Sequence, residues 1–106
     1  MRLNSQIKDI VQTGEIIQTA DFIAFLKKNS MDKNRFGISV KKKFGNAVKR
    51  NRLKRYCREY FRLNKTKFPK GIDVFVLPRK RLSKKFEGFQ YSEIAAELEE
   101  LFKGLV

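Results

Sequence analysis

A chain of 106 residues, 42% of them hydrophobic, supports one folded domain spanning 1–106 and is too short for two. Its 25 basic against 11 acidic side chains give a net charge of +14, which calls for a polyanionic partner, while the apolar share excludes a disordered basic tail. One cysteine and no histidine exclude an internal disulfide, a zinc site and histidine general-base chemistry.

The charge is concentrated. Residues 25–90 hold 22 basic and 4 acidic side chains, a net of +18, while both ends are slightly acidic. Positive charge at this density attracts an RNA or DNA backbone. The first residues lack the long apolar run of a signal peptide, and the longest uninterrupted apolar stretch, 22–26, is far short of a membrane span. The expectation is a soluble cytoplasmic domain with no membrane contact.

In chain order, Asn4 or Ser5 can cap a short helix with Ile7, Ile10 and Val11 on one face, closing at Gly14. Residues 15–19 read as a short strand. Residues 21–27 read as a clearer one, in which Phe22, Ala24 and Leu26 alternate with Ile23 and Phe25. A polar turn over 29–34 leads to a strand at 35–41, whose Phe36, Ile38 and Val40 point to the core while Gly37 and Ser39 leave the other face open. Gly45-Asn46 then starts a long helix from Ala47 to about Leu63. Its apolar face is Leu53, Tyr56, Cys57, Tyr60 and Phe61, and its opposite flank carries Arg50, Lys54, Arg58 and Arg62. Residues 65–71 form a basic loop, 72–77 a buried strand stopped by Pro78, and 79–90 a second basic loop. Ser92 opens a final helix that buries Ile94, Leu98, Leu101, Phe102 and Leu105. The order αβββαβα, with helices packed on a small mixed sheet, describes an α+β two-layer sandwich.

The chemistry concentrates at the start of the long helix. Between Lys41 and Arg58 stand nine basic side chains and no acid, with apolar residues threaded through at helical spacing. A solvated lysine-rich face is the plainer reading of such a run. Against it stand the arginines, which fork onto phosphate oxygens, and the Gly-Asn turn, which sets a helix N-terminus beside them. Phe25 has two readings: ordinary core, or a platform on which unpaired bases stack. Cys57 is a small core residue. Asp73 is a lone acid in a strand, and no spacing of the other acids assembles a two-metal nuclease site, so no catalytic residue is assigned.

At Lys43–Arg55 the chain resembles the protein subunit of bacterial ribonuclease P. That family carries a Lys-x-Gly-Asn-Ala-Val-x-Arg-Asn-Arg-x-Lys-Arg signature, matched here by Lys43, Gly45, Asn46, Ala47, Val48, Arg50, Asn51, Arg52, Lys54 and Arg55. The stretches 35–40 and 73–79 also fit the family. The resemblance implies that the protein is one subunit of an endoribonuclease whose large RNA is the catalyst, removing the 5′ leader from precursor tRNA. It implies that Lys43, Asn46, Arg50, Asn51, Arg52 and Arg55 face the catalytic RNA. Phe25, Lys54 and Arg58, with Ile7 and Val11 opposite, would line the cleft for the leader. It also implies Mg2+ bound mainly by the RNA partner, and a left-handed βαβ crossover where the general default is right-handed. Family members commonly carry phenylalanine where Ile7 and Val11 stand, so the first helix here offers no π-surface to the leader.

Two other classes compete. A structural RNA-binding protein, such as a ribosomal component or RNA chaperone, shares the charge but predicts no preference for precursor over mature tRNA. A protein-only nuclease requires a carboxylate cluster that the sequence does not display.

Overall fold

The computed structural model describes residues 14–104. The expected N-terminal helix, with Ile7 and Val11, lies outside the described residues, as does Leu105. Four strands form one sheet: β1 (Glu15–Gln18), β2 (Phe22–Lys28), β3 (Arg35–Ile38) and β4 (Ile72–Pro78). Three helices accompany them: α1 (Ala47–Asn64), α2 (Lys80–Lys85) and α3 (Tyr91–Leu101). The sheet order is β1-β2-β4-β3. Antiparallel pairs join β1 to β2 and β2 to β4, and β3 runs parallel to β4, so the sheet is mixed and α1 forms the crossover of its parallel pair. The fold is α+β.

The two-residue period of the strands sorts their side chains cleanly. Phe22, Ala24 and Leu26 of β2 and Val74 and Val76 of β4 enter the main core. Leu53, Cys57, Tyr60 and Phe61 of α1 meet them there, together with Ile94, Leu98 and Leu101 of α3 and the following Phe102. Both long helices therefore cover the same sheet face. Aromatic rings knit this layer: Phe36 of β3 stacks on Phe61 of α1 at 4.5 Å, and Phe68 meets Phe102 edge-on at 5.1 Å. Burial pushes the Cys57 thiol far up, which makes it an inert part of this core.

Register is pinned at the start of the parallel pair. Arg35 stands beside Asp73, and its guanidinium forks onto the carboxylate, Nε to Oδ1 at 2.8 Å and Nη2 to Oδ2 at 2.5 Å. Asn29 Nδ2 donates to the same Oδ1 at 2.8 Å. Burial tends to raise the Asp73 pKa, but these bonds hold it below the usual carboxylate range. Gly71, the one glycine with positive φ among the described residues (72°), turns the chain into β4 where a Cβ would sit 2.8 Å from the Met31 carbonyl oxygen.

Three boundaries differ from the sequence expectation. The strand expected over 35–41 stops at Ile38; only the Ser39 N–H continues the ladder, to the Val76 carbonyl at 3.2 Å. Val40 still reaches the core as the chain bends into a 3-10 turn at Lys42–Phe44. The expected loop over 79–90 contains α2 and a 3-10 turn at Phe86–Gly88, both anchored in the core by Leu82 and Phe86. The final helix starts one residue before Ser92, because Glu93 reaches back to accept the Gln90 N–H at 3.0 Å.

Candidate nucleic-acid interface

The start of α1 is built by its own cap. Asn46 is extended and its side chain accepts the Lys49 N–H at 2.9 Å. Arg50 turns back so that its Nε donates to the Gly45 carbonyl at 3.0 Å. Gly45 is required here by close approach, since a Cβ would lie 2.5 Å from Lys49 Cδ. That lysine cannot easily yield. Its Nζ donates to the Ser83 carbonyl at 2.8 Å, pairs with Glu87 at 3.4 Å and lies over the Phe44 ring at 5.4 Å. Ser83 in turn donates its hydroxyl to the Phe44 carbonyl at 2.6 Å. The segment around α2 thus grips the N-terminal turn of α1.

That grip sorts the cations of the motif. Lys49 is spent on the fold. Arg52 is half-buried, its guanidinium 4.9 Å from the centre of the Phe86 ring, and its Nε is buried with no acceptor. Arg50 is half-buried, whereas Asn51, Arg55 and Arg58 are exposed. Among the described residues, no carboxylate pairs with Arg50, Arg52, Lys54, Arg55 or Arg58. The only acid on α1, Glu59, is held by Arg62 through two bonds of 2.7 and 2.8 Å. Val48, within the same motif, is 75% exposed and belongs to the outer surface rather than the core. An unpaired arginine face with one bare aliphatic residue is suited to phosphate and ribose contact.

The residues expected to line one cleft are separated. Arg58 borders an opening of about 410 Å³ between β3 and α1, with Phe36, Ile38 and Arg62. Phe25 lies on the other sheet face, where it pairs with Phe75 in a small cluster flanked by Ile23 and Leu77. That face is less open than the sequence suggested: Phe25 is only 8% exposed, while Ile23 and Leu77 are half-buried. Lys54 is half-buried and joins neither group.

Lys43 lies elsewhere again. It lines a cavity of about 370 Å³ with Lys41, Arg79 and Lys80, floored by Ile23, Leu77 and Phe44. The sequence places Arg79 and Lys80 in a loop and gives them no site role; the fit of 73–79 to the family is the signal that draws attention to this stretch. Two other cations of α2, Arg81 and Lys85, approach a buried carboxylate, while Lys84 is exposed. Lys85 Nζ meets Asp21 Oδ2 at 2.6 Å, with Arg81 Nε 3.9 Å from Oδ1, and the Asp21 side chain is 3% exposed. Burial raises the Asp21 pKa, but hydrogen bonds to Glu97 and Lys85 and the charges of Lys85 and Arg81 outweigh it and hold the carboxyl below its usual range. Glu97 moves the opposite way, raised by burial and by Asp21.

Among the described residues, no group of three or more carboxylate, cysteine or histidine side chains could hold a metal ion. No described helix is long and apolar enough to cross a membrane.

The chain was compared with known proteins. The Ribonuclease P family profile matches residues 1–106. The ribonuclease P protein component of Thermotoga sp. (strain RQ2) is 45% identical over 103 residues, covering 97% of this chain and 88% of the relative. The solved structure of the RNase P protein from Thermotoga maritima superposes with a TM-score of 0.91 at 42% identity, covering 100% of this chain and 96% of that one. The Staphylococcus aureus RNase P protein gives a TM-score of 0.86 at 31% identity, covering 97% and 91%.

Proposed function

The chain belongs to the ribonuclease P protein family, and from that premise we propose that it assists a catalytic RNA in removing the 5′ leader from precursor tRNA in the bacterial cytoplasm. The observation that carries the reading is the outer face of α1, where Arg50, Arg55 and Arg58 have no carboxylate partner among the described residues.

In this reading Lys43, Asn46, Arg50, Asn51, Arg52 and Arg55 contact the catalytic RNA. Their positive charge offsets repulsion between that RNA and the precursor tRNA, so less magnesium is needed to bring them together. In the same reading the magnesium is bound mainly by the RNA, as the family resemblance implies. Asn46 acts here chiefly by fixing the helix start, and Phe86 by supporting the Arg52 guanidinium. The leader is assigned to the face bearing Phe25, with Ile7 and Val11 as the family resemblance implies, while Lys54 and Arg58, carried by α1 on the opposite side of the sheet, are assigned to phosphate contact away from Phe25. Bond cleavage belongs to the RNA, and the protein contributes binding.

Leader removal at low magnesium tests this, using a bacterial ribonuclease P RNA with and without the protein and a protein-alone control. Cleavage only with both present is the expected result; tight RNA binding without stimulation would favour a structural RNA-binding role. For the leader face, Phe25→Leu removes the ring while keeping the Phe75 contact largely filled. It is expected to weaken precursor binding several-fold and to leave mature tRNA binding unchanged.

A further inference from the structure

Across the outer face of α1 from the sheet, Arg55, Tyr56, Arg58, Glu59 and Arg62 meet Tyr91, the first residue of α3, around an opening of about 510 Å³. The sequence places Tyr56 on the apolar side of α1 and gives Tyr91 no role. Here they meet edge to face at 6.2 Å and 72°. Tyr56 is embedded, with Phe86 against it at 6.2 Å and the Arg55 guanidinium over it at 5.7 Å. Tyr91 has Tyr56 as its one ring neighbour among the described residues and is half-buried, so part of its ring faces the opening. Three guanidiniums surround these rings. Glu59 engages only Arg62, leaving Arg55 and Arg58 without a carboxylate among the described residues.

An opening with planar apolar walls and unpaired arginines matches a ligand that is flat at one end and anionic at the other. Phosphate alone would leave the rings unused. A duplex would present its backbone but no base face, because its bases are covered by their neighbours. We propose that this opening is a nucleotide site: an unpaired base of the bound RNA stacks on Tyr91, and the adjoining phosphate is held by Arg55 and Arg58. The proposal rests on the RNA-binding reading above and adds a base-dependent contact to one otherwise made through phosphates.

Tyrosine fluorescence gives a direct view. The chain has no tryptophan and three tyrosines, of which Tyr60 is sealed in the core, so a base stacking here should quench the remaining emission. The probes are a short single-stranded oligoribonucleotide and an abasic strand of equal length and charge. Wild-type protein should bind the base-bearing strand about tenfold more tightly, with quenching. Tyr91→Leu, which fills similar space without a π-face, should lose most of that advantage, while Tyr91→Phe should keep it. Equal affinity of wild type for the two strands, or an advantage unaltered in Tyr91→Leu, would overturn the site. Leader removal by the wild type, run alongside, separates the two readings. Stimulated cleavage without a base-dependent gain defeats only the nucleotide site. A Tyr91-dependent gain without stimulation defeats only the subunit assignment.

Discussion

Residues 47–55 of α1 and the short helix α2 are both dense in lysine and arginine, yet their cations meet different fates. Arg50 and Arg55 have no acidic partner among the described residues. On α2, Lys85 and Arg81 converge on the buried Asp21. Three of the four acids between residues 25 and 90 are likewise paired: Asp73 with Arg35, Glu59 with Arg62 and Glu87 with Lys49. The sparse acids therefore decide which of these cations brace the fold, and leave Arg50 and Arg55 of α1 without a carboxylate among the described residues. Charge density along the chain points to a polyanionic partner; the placement of carboxylates shows which arginines are left free to meet one.

The comparison can be broken most severely at the contact between the two helices. Phe86 is fully buried between Phe44 and Tyr56 and supports Arg52. Phe86→Ala should cost about 3–5 kcal/mol in denaturant unfolding and weaken RNA binding as well, whereas a purely local role for α2 would leave RNA binding intact. Next is Asp21→Asn, which deprives Lys85 and Arg81 of their anchor. Because Lys85 is 38% exposed and can turn to water, the loss should be about 2 kcal/mol, below that of a fully buried pair.

A smaller effect isolates the Glu97 carboxyl. A carboxyl whose pKa is raised on folding binds its proton more readily in the native state, so its contribution falls as pH rises from the unfolded value through the folded one. For Glu97 that decline begins near the ordinary value of 4.5. With no histidine in the chain, little else titrates between pH 5 and 7. Melting temperature should therefore drift down as pH rises above that ordinary value in the wild type, and drift less in Glu97→Gln. Parallel profiles would show that Glu97 is ionised like a surface glutamate.

Much of this arrangement was legible in the sequence where periodicity is long. Strands β2 and β4 announced themselves by alternation and an unbroken apolar run, and α1 by five apolar positions at helical spacing over its 18 residues. The six-residue α2 was not, because Leu82 and Phe86 give a single i, i+4 repeat that any loop could contain. The arginine motif was legible as a unit, but the inward turn of Lys49 depends on Ser83 and Glu87, more than thirty positions away. Val48 and Tyr91 went unread for a related reason: an apolar residue left at the surface looks, in one dimension, like part of the core. The partial closing of the Phe25 face also comes from long-range packing, through its register partner Phe75.

The central claim is that carboxylate placement divides these cations into binders and braces. Its most direct test is the salt dependence of binding to a ribonuclease P RNA, measured for the wild type, Arg55→Ala and Lys85→Ala. Arg55→Ala should reduce the slope of log affinity against log salt by about one and leave unfolding within about 0.5 kcal/mol of wild type. Lys85→Ala should keep the wild-type slope and lower stability instead. Equal loss of slope in both variants would contradict the account, since it would mean that the RNA draws on α2 cations as freely as on those of α1.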